Sequence, residues 1–348
     1  MKRICIVIVY FGKWPEWFEF FLQGCRYNLG INWIFYTDRA IPENAPENVK
    51  FIKGNLENFK QLVSEKLDIT PSIKDSYKIC DFRPAFGIIF EDYLRDYDFW
   101  GYGDIDLIYG DIRKFITEKD LDKYDIISAK KEFTAGHFTL LKNSEEMNNL
   151  YKKTLNYRNV FEREDHVGFD EGSWNITKMQ PKDEFFIKNK NIQSFTHAVK
   201  FYDEKGLIRA HFKKMILEDS ELKGDWKVIW HNGKISEKTT GIEAMYIHFL
   251  NVKKNKDFTI QRLKQAPRAF SITSKGIFEE KNPYIKNIYY KYQRLKFKLL
   301  QKIDFYLGKI GIFLKKYSPK LYFRLKKLKM KLKNEMHLKK TRSRKNNK

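Results

Sequence analysis

Between residues 4 and 160, two patterns of hydrophobic positions alternate along the chain. Short continuous apolar runs bounded by polar turns predict buried strands. They fall at Ile4–Tyr10, Asn32–Thr37, Val49–Ile52, Tyr97–Tyr102, Asp125–Ala129 and Phe138–Leu141. Apolar residues spaced three or four apart predict helices. These fall at Glu16–Tyr27, Asn55–Leu67, Lys78–Tyr93, with Pro84 near its start, and Ser144–Val160. Because strands that alternate with helices are typical of a doubly wound sheet, we predict an α/β fold.

The pattern changes toward the C-terminus. Residues 161–250 are less regular, and one further strand is predicted at Met245–Leu250. Between residues 252 and 282 lysines become more frequent and the apolar strand pattern stops. We therefore predict one α/β domain over residues 1–265, a basic helical extension over 266–335 and a disordered basic tail over 336–348.

The net charge of +23 is concentrated in the last part of the chain. Residues 281–348 hold 23 Lys or Arg and two acids, whereas the preceding residues hold 44 basic and 42 acidic side chains. Apolar residues recur three or four apart between residues 284 and 332, with lysines between them. Basic amphipathic helices of this kind bind anionic bilayer surfaces. Packing of the apolar stripe on the protein itself or on a partner is the alternative, and no base-reading motif supports specific nucleic-acid binding.

The N-terminus and the cysteines favour a cytoplasmic protein. The apolar run after Arg3 has only eight residues and no small-residue cleavage site follows it, so a buried strand is favoured over a signal peptide. No segment reaches the ~20 apolar residues of a membrane span. The three cysteines, Cys5, Cys25 and Cys80, have neither zinc-site spacing nor an even count, which favours a reducing compartment.

The segment Tyr97–Asp111 carries the most specific chemical signal. Asp104 and Asp106 directly follow a predicted strand, and ligands of open α/β sheets bind at the carboxyl ends of strands. Carboxylates suit Mg²⁺ or Mn²⁺, which bridge carboxylates to phosphates. Gly101 and Gly103 are expected where the backbone turns or approaches a ligand closely. A polar turn without a ligand is the alternative interpretation.

Four more pieces of the chain follow a recognisable order around this segment. They are KICDFRPAFG over residues 78–87, Gly136–Phe138, Phe169–Glu171, and YIHF over residues 246–249 with Lys253-Lys254 after it. Together with the acidic segment, which is similar to an Asp-x-Asp motif, they resemble bacterial GT-A-fold glycosyltransferases of capsule and lipooligosaccharide assembly. The similarity covers roughly residues 1–255. The chain departs from the pattern because no Gly-x-Lys-Pro-Trp run follows His248, which leaves the role of the lysines open.

The resemblance implies roles for named residues. Asp104 and Asp106 would hold Mn²⁺ or Mg²⁺, with His248 as a third ligand. The resemblance also implies contacts with the sugar donor at Lys78, Asp81, Arg83, Lys253 and Lys254, and at Asp104 itself. Asp170 or Glu171 would contact the acceptor or act as its general base. His137 and His166 are further acceptor candidates. Tyr10, Phe11 and Asp38 end the first two predicted strands, where a nucleotide base and ribose bind in a doubly wound sheet.

Several of these residues also have a plainer interpretation. Arg83 can pair with Asp81 or a surface acid, and Lys78 can be a solvated lysine. His248 can be a satisfied core histidine, and Tyr10 and Phe11 can pack in the core. Asp170 and Glu171 can belong to a charged loop.

The combined pattern predicts a metal-dependent glycosyltransferase with a Rossmann-like GT-A fold and a C-terminal basic helical extension. We expect it to transfer a sugar from a nucleotide-diphosphate sugar, by resemblance a UDP-sugar, to a lipid-linked or cell-surface glycan. The basic extension predicts a peripheral position at the inner face of the cytoplasmic membrane. The alternatives are a nucleotidyltransferase or phosphohydrolase, and a non-enzymatic basic protein that binds membrane or nucleic acid.

Overall fold

The structure, a computed structural model, describes residues 1–172, 194–261 and 265–280. The strands in these ranges are β1 (Ile4–Val9), β2 (Ile31–Thr37), β3 (Val49–Lys53), β4 (Phe99–Gly103), β5 (Leu107–Tyr109), β6 (Ile126–Ser128), β7 (Phe138–Lys142), β8 (Ala210–Phe212), β9 (Leu217–Glu218), β10 (Lys227–His231), β11 (Lys234–Glu237), β12 (Glu243–Ala244), β13 (Tyr246–His248), β14 (Thr259–Ile260), β15 (Ala269–Thr273) and β16 (Gly276–Glu279). The α-helices are α1 (Phe18–Arg26), α2 (Leu56–Leu67), α3 (Phe86–Ile89), α4 (Glu91–Leu94), α5 (Ile112–Phe115), α6 (Glu118–Lys123), α7 (Glu145–Asn148), α8 (Tyr157–Glu162) and α9 (Phe195–Glu204). Short 3₁₀ helices cover Ser76–Ala85, Leu150–Lys153 and Val252–Lys254.

A seven-stranded central sheet confirms the predicted α/β class. Its strand order is β3-β2-β1-β4-β7-β6-β8, and the first four strands are parallel. Along β1, Ile4, Ile6 and Ile8 pack into one hydrophobic core, while Cys5 and Val7 pack into another. Successive side chains of a strand point to opposite faces of its sheet. The continuous apolar run of β1 is therefore explained by a sheet that is covered on both faces.

Two smaller sheets were not predicted from the sequence. One has three strands in the order β5-β13-β9, and the other has six in the order β12-β11-β10-β15-β16-β14. The turn between β10 and β11 is Asn232-Gly233, with positive φ angles of 45° and 75°. Asn-Gly flanked by alternating apolar residues is a strong hairpin signal, because a type I′ turn needs positive φ at both central residues. Trp230 and Phe270, stacked with ring centroids 4.8 Å apart, lie in the core of the six-stranded sheet.

The end of the folded unit lies beyond the predicted boundary at residue 265. Strands β15 and β16 pair with each other, and β15 also pairs with β10. The compact unit that contains them consists of Met1–Glu237 and Glu243–Lys281. Residues 266–280 therefore belong to this unit rather than to the extension. The amphipathic helices and the tail predicted beyond residue 281 lie outside the described residues.

Two long predicted helices are broken into shorter ones. The stretch predicted as a helix over Lys78–Tyr93 is a 3₁₀ helix, Ser76–Ala85, followed by α3 and α4. Pro84 lies inside the 3₁₀ helix, and its missing N–H removes one α-helical hydrogen bond. The stretch predicted over Ser144–Val160 divides after α7, where Asn149 Nδ2 donates to the Glu145 carbonyl at 2.9 Å. Such local bonds from Asn compete with the helical pattern. Among the described residues, no helix has the length and apolar composition that crossing a bilayer requires.

The two glycines before the acidic segment approach neighbouring backbone. A Cβ atom on Gly101 would lie 2.5 Å from the Thr139 carbonyl oxygen and from a methyl group of Leu140 in β7. A Cβ on Gly103 would lie 3.2 Å from the His137 carbonyl oxygen. The expectation of a turn or a ligand at Gly101 is therefore corrected: this glycine permits close pairing of β4 with β7.

Candidate functional site

The carboxyl ends of β2, β1 and β4 lie side by side in the central sheet. Tyr10 follows β1, Asp38 follows β2 and Asp104 follows β4. The strand order changes direction between β1 and β4: β2 and β3 lie on one side of β1, and β4 lies on the other. Crevices at such a change of direction are where ligands of open α/β sheets bind.

A group of possible cation ligands forms directly after β4. Asp104, Asp106 and His248 each offer a ligand atom, and these atoms lie within 4.8 Å of one another. Antiparallel pairing of β13 with β5 places His248 opposite Leu107, next to Asp106. The Phe249 N–H also donates to the Asp106 carbonyl at 3.3 Å. Backbone pairing thus brings His248 to two carboxylates that precede it by more than 140 positions in the chain.

Two basic side chains contact the carboxylates of this group. The Arg83 guanidinium contacts Asp104 through Nη2 and donates from Nη1 to Asp170 Oδ2 at 2.9 Å. The Lys253 ammonium contacts Asp106 Oδ2. Asp106 and His248 are buried, whereas 30% of the Asp104 side chain is exposed. The group is therefore reachable from solvent on its Asp104 side.

His248 lies between two carboxylates. Its Nε2 is 3.4 Å from Asp106 Oδ2, and its Nδ1 is 3.4 Å from Glu218 Oε1. Burial of His248 favours the neutral ring, but contacts with Asp106 and Glu218 outweigh burial and raise its pKa to about 10. Burial alone would raise the pKa of Asp106, but His248 and Lys253 hold it well below the usual aspartate value.

The donor set of the group fits a divalent cation. Two carboxylates and one imidazole are ordinary ligands of first-row divalent ions, and the imidazole favours Mn²⁺ over Mg²⁺. The His248 Nε2 atom is buried and has no hydrogen-bond partner of acceptable geometry among the described residues. An orphaned buried nitrogen costs free energy, and a cation next to Asp104 and Asp106 would satisfy it.

Asp170 and Glu171 adjoin this group on the other side of Arg83. Asp170 is buried and paired with Arg83, and Glu171 Oε1 accepts the Gly136 N–H at 2.9 Å. A Cβ on Gly136 would lie 2.6 Å from Asp170 Oδ2 and 2.8 Å from Arg83 Nη1, so this glycine permits the cluster to form. Burial raises the pKa of Glu171, and burial raises that of Asp170 against the opposing effect of Arg83.

Lys78 does not reach the cation group, and Asp81 approaches the site only beside Asp170, where ligand atoms of the two carboxylates lie within 4.8 Å of each other. Both side chains are buried, and Lys78 Nζ donates to Asp81 Oδ2 at 2.9 Å, to Val160 O at 2.6 Å and to Asp165 O at 3.0 Å. Asp81 also accepts the backbone N–H groups of Val167 and Phe169 at 3.0 and 2.8 Å. An ammonium has three donors, so Lys78 retains none for a phosphate. These contacts hold the loop that leads into Asp170.

The two histidines proposed as acceptor contacts lie in different surroundings. His137 is buried, and its Nδ1 is 2.7 Å from the Tyr246 hydroxyl, while its ring centroid is 4.5 Å from that of His248. Burial and then the charge of His248 lower the pKa of His137 well below the usual value. His166 is half-buried, with Nε2 3.6 Å from Asp81 Oδ1 and its ring packed against Tyr77. Burial also lowers the pKa of His166. His137 thus belongs to the cation group's surroundings, and His166 lies beside Asp81 and Asp170, with ligand atoms of the three within 4.8 Å of one another.

The residues proposed to meet the nucleotide base lie at the ends of β1 and β2. Tyr10 stacks on Trp14 with ring centroids 5.3 Å apart, and its hydroxyl donates to the Lys13 carbonyl at 2.8 Å. Phe11 is half-buried and packs on aromatic rings of the adjoining core. Asp38 accepts two hydrogen bonds from Arg39, at 2.8 and 2.9 Å, which lower its pKa.

Three residues at the site were missed by the sequence analysis. Trp17 Nε1 donates to the carbonyl of Ile105, inside the acidic segment, at 3.0 Å, and Lys253 Nζ lies 6.0 Å from the centre of the Trp17 ring. Glu218 lies opposite His248 in the pairing of β9 with β13, and Asp219 accepts the N–H of Val252, the neighbour of Lys253. Trp17 was seen only as an apolar position of the predicted helix Glu16–Tyr27, and the two-residue strand β9 leaves no periodic signal. Lys254, in contrast, is exposed.

Comparisons with known proteins give a family match and distant structural likenesses. Residues 6–281 match the model of a family of unknown function (DUF6625). No curated protein sequence matches the chain. A crystal structure of galactosyltransferase LgtC in complex with donor and acceptor sugar analogs matches with 11% sequence identity and a TM-score of 0.33. The match covers 62% of this chain and 76% of that one, and it is too distant to bear on fold or function.

Proposed function

The chain belongs to the family of unknown function DUF6625, and we propose that it is a cation-dependent glycosyltransferase with a GT-A-like fold that uses a nucleotide-diphosphate sugar. The observation that carries the proposal is the meeting of Asp104, Asp106 and His248 within 4.8 Å, with Lys253 in contact with Asp106. This meeting occurs at the carboxyl end of β4, beside β1. Paired carboxylates with adjacent basic groups suit a ligand that brings both a divalent cation and a diphosphate.

The charges of the site suit a diphosphate leaving group. A divalent cation held by Asp104, Asp106 and His248 would neutralise the negative charge that develops on the departing diphosphate. Arg83 and Lys253 contact Asp104 and Asp106. When the carboxylates bind a cation, the two basic groups become available to phosphate oxygens. The planar guanidinium of Arg83 suits two oxygens at once, and the ammonium of Lys253 acts as a point charge.

The nucleotide is proposed to lie over the ends of β1 and β2. Tyr10 and Phe11 offer aromatic surface for the base, and Asp38 offers acceptor oxygens for the base or ribose. Gly12, with φ of 102° and no heavy atom within 4 Å of an added Cβ, keeps this edge open. The resemblance of the motifs favours a UDP-sugar.

Glu171 is the better candidate for the general base that deprotonates an acceptor hydroxyl. Asp170 uses one oxygen on Arg83, which in turn contacts Asp104, so its contacts suit a role in holding the donor side of the site. Glu171 accepts a single backbone N–H, and burial raises its pKa, which brings it closer to the pH at which proton transfer is efficient.

We further propose that the acceptor is a lipid-linked or cell-surface glycan and that residues 282–348 hold the enzyme at the inner face of the cytoplasmic membrane. The support is the concentration of basic residues there and the spacing of its apolar residues. A chain that ends at Lys281 retains β16, and it should lose sedimentation with anionic vesicles while keeping nucleotide-sugar turnover within about twofold. The full chain should lose vesicle binding as salt rises, because exposed charges are screened. Binding that persists in the shortened chain would contradict this role.

Thermal unfolding in the presence of nucleotide sugars tests the donor site. We expect a nucleotide-diphosphate sugar to raise the unfolding temperature only when Mn²⁺ is present, since a ligand of the folded state alone stabilises it by about 2.7 kcal/mol at 100 times its Kd. The Asp106→Asn variant should lose the effect, and Asp122→Asn, at an exposed carboxylate paired with Lys2, should keep it. Equal stabilisation without the cation would contradict the proposal.

A further inference from the structure

A two-residue segment behind the cation group carries contacts that the proposed reaction has not used. Glu218 ends the short strand β9, and Asp219 follows it. We propose that Glu218 and Asp219 are positioning residues: Glu218 orients His248 toward the cation, and Asp219 fixes the turn that carries Lys253. The inference rests on the proposed cation site but does not depend on sugar transfer.

The His248 ring faces the Glu218 carboxylate. Parallel pairing of β9 with β13 sets Glu218 opposite His248, and Glu218 Oε1 lies 3.4 Å from His248 Nδ1. An ionised carboxylate only accepts hydrogen bonds, so Nδ1 carries a proton on this side. When a cation displaces the proton on Nε2, the ring that stays protonated at Nδ1 has its lone pair on Nε2, the atom that faces Asp106. A carboxylate on the far nitrogen of a metal-binding histidine fixes both the tautomer and the ring plane.

The Glu218 carboxylate is itself oriented by a lysine. Lys130, which follows β6, contacts Glu218 Oε2, and both side chains are largely buried. With one oxygen on Lys130 and the other toward His248, the carboxylate has a defined orientation. The packed β13 and β9 strands and the Lys130 contact thus supply a fixed support for the His248 ring.

Lys253 lies in a short 3₁₀ helix whose start is bonded to Asp219. Asp219 Oδ2 accepts the backbone N–H groups of Asn251 and Val252, at 2.8 and 2.7 Å. These residues begin the 3₁₀ helix Val252–Lys254. N-terminal N–H groups of a helix lack internal acceptors, and a carboxylate that accepts them fixes the helix start. Asp219 therefore sets the position from which Lys253 reaches Asp106.

A different reading of Glu218 is as a cation ligand. Glu218, His137 and His248 also have ligand atoms within 4.8 Å of one another. The Lys130 ammonium in contact with Glu218 opposes a second positive charge at that point, and His248 Nδ1 cannot bind a cation while it donates to Glu218. The contacts thus favour positioning, and the stoichiometry of bound metal separates the two roles.

Titration of the full-length chain with Mn²⁺, followed by electron paramagnetic resonance of the free ion and without nucleotide sugar, tests the role of Glu218. We expect one Mn²⁺ per wild-type chain. Glu218→Ala should weaken its binding by about 10- to 100-fold. Glu218→Gln should weaken it less, since the amide oxygen still accepts from Nδ1. Glu221→Ala, at an exposed glutamate that pairs with Lys214, is the matched control and should leave the affinity unchanged.

Three results would overturn the inference. Unchanged Mn²⁺ affinity in Glu218→Ala, with only a lower unfolding temperature, would mean that Glu218 is merely structural. Two bound ions in the wild type and one in Glu218→Ala would make Glu218 a ligand. No Mn²⁺ binding by the wild type would remove the cation site. Weaker Mn²⁺ binding in Glu218→Ala would sustain the inference even if no nucleotide sugar is turned over, so the two proposals fail separately.

Discussion

Two lysine–aspartate pairs of this protein have the same chemistry and opposite surroundings. Lys78 and Asp81 are buried, and their polar atoms bind each other and the backbone around residues 160–169. Lys253 and Asp106 also touch, but 21% of the Lys253 side chain is exposed. Beside this pair lies the buried His248 Nε2 atom without a hydrogen-bond partner of acceptable geometry in the described ranges.

The difference separates a pair that holds the fold from one that can bind a ligand. A pair whose donors and acceptors are all used by protein atoms has no capacity for another partner. In the proposed function the Lys253–Asp106 pair exchanges partners, because a cation takes the carboxylate while the ammonium turns to a phosphate. Buried charges alone therefore do not identify a site.

The largest expected effect is on the stability of the fold when the Lys78–Asp81 pair is broken. Asp81→Asn leaves Lys78 buried without its counter-charge and weakens the acceptor of the Val167 and Phe169 N–H groups. We expect a loss of about 3–5 kcal/mol in the free energy of unfolding, measured with urea. Asp92→Asn, at an exposed carboxylate bonded to Lys66, should cost far less, because exposed ion pairs contribute little to stability. Equal losses in the two variants would show that the Lys78 pair has no special structural role.

The second effect is on turnover when the Lys253–Asp106 pair is changed. Asp106→Asn should lower Mn²⁺-dependent turnover of a nucleotide sugar by more than about 100-fold, because loss of a ligand should exceed the 10- to 100-fold cost of losing its support. Its loss of unfolding free energy should be smaller than that of Asp81→Asn. Initial rates at saturating Mn²⁺ and urea unfolding of the same samples measure both quantities. A variant that unfolds as easily as Asp81→Asn yet turns over normally would reverse the assignment of the two pairs.

The third effect concerns pH. A general base acts only when it is ionised, so activity should fall as the pH drops through the folded-state pKa of Glu171. Burial raises that pKa, which puts the acid limb above the ordinary glutamate value of about 4.3. Glu171→Gln should remove this limb from the profile of kcat/KM and lower the rate at pH 7 by about 100-fold. Glu164→Gln, at an exposed position of the same loop, should retain both. An acid limb that persists in Glu171→Gln would assign the base elsewhere.

The smallest effect tests the support of the acidic segment. Trp17→Phe removes the indole N–H that bonds to the Ile105 carbonyl. We expect a weakening of Mn²⁺ binding by about fivefold, which corresponds to the roughly 1 kcal/mol of one hydrogen bond. Trp14→Phe is the control, since the Trp14 indole donates to the Ala40 carbonyl at 2.9 Å. Weaker Mn²⁺ binding in both variants would point to a general loss of aromatic packing instead.

The comparison also explains what the sequence could predict. The α/β class and the strands around the site followed from hydrophobic periodicity, since continuous apolar runs such as Ile4–Val9 are a strong local signal. The meeting of Asp104, Asp106 and His248 followed only from the order of motifs, because no local pattern relates residues so far apart. Their roles remain predictions.

What the sequence did not reveal has physical reasons. Lys78 and Asp81 share a motif with Arg83. Their side chains are buried and bonded to protein atoms, whereas Arg83 reaches Asp104. The sequence alone does not show that difference. Glu218 acts through a two-residue strand, which is too short for a periodic pattern. The six-stranded sheet did have a readable signal in Asn232-Gly233, but this turn lies in residues 161–250, where the pattern was interpreted only as less regular.

Product analysis of wild-type chain incubated with nucleotide-diphosphate sugars and Mn²⁺ tests directly whether the protein is a cation-dependent glycosyltransferase. We expect release of nucleoside diphosphate that requires the cation, that is lost in Asp106→Asn and that persists in Asp122→Asn. Release of nucleoside monophosphate, or release of nucleoside diphosphate that is indifferent to Mn²⁺ and to Asp106, would contradict it.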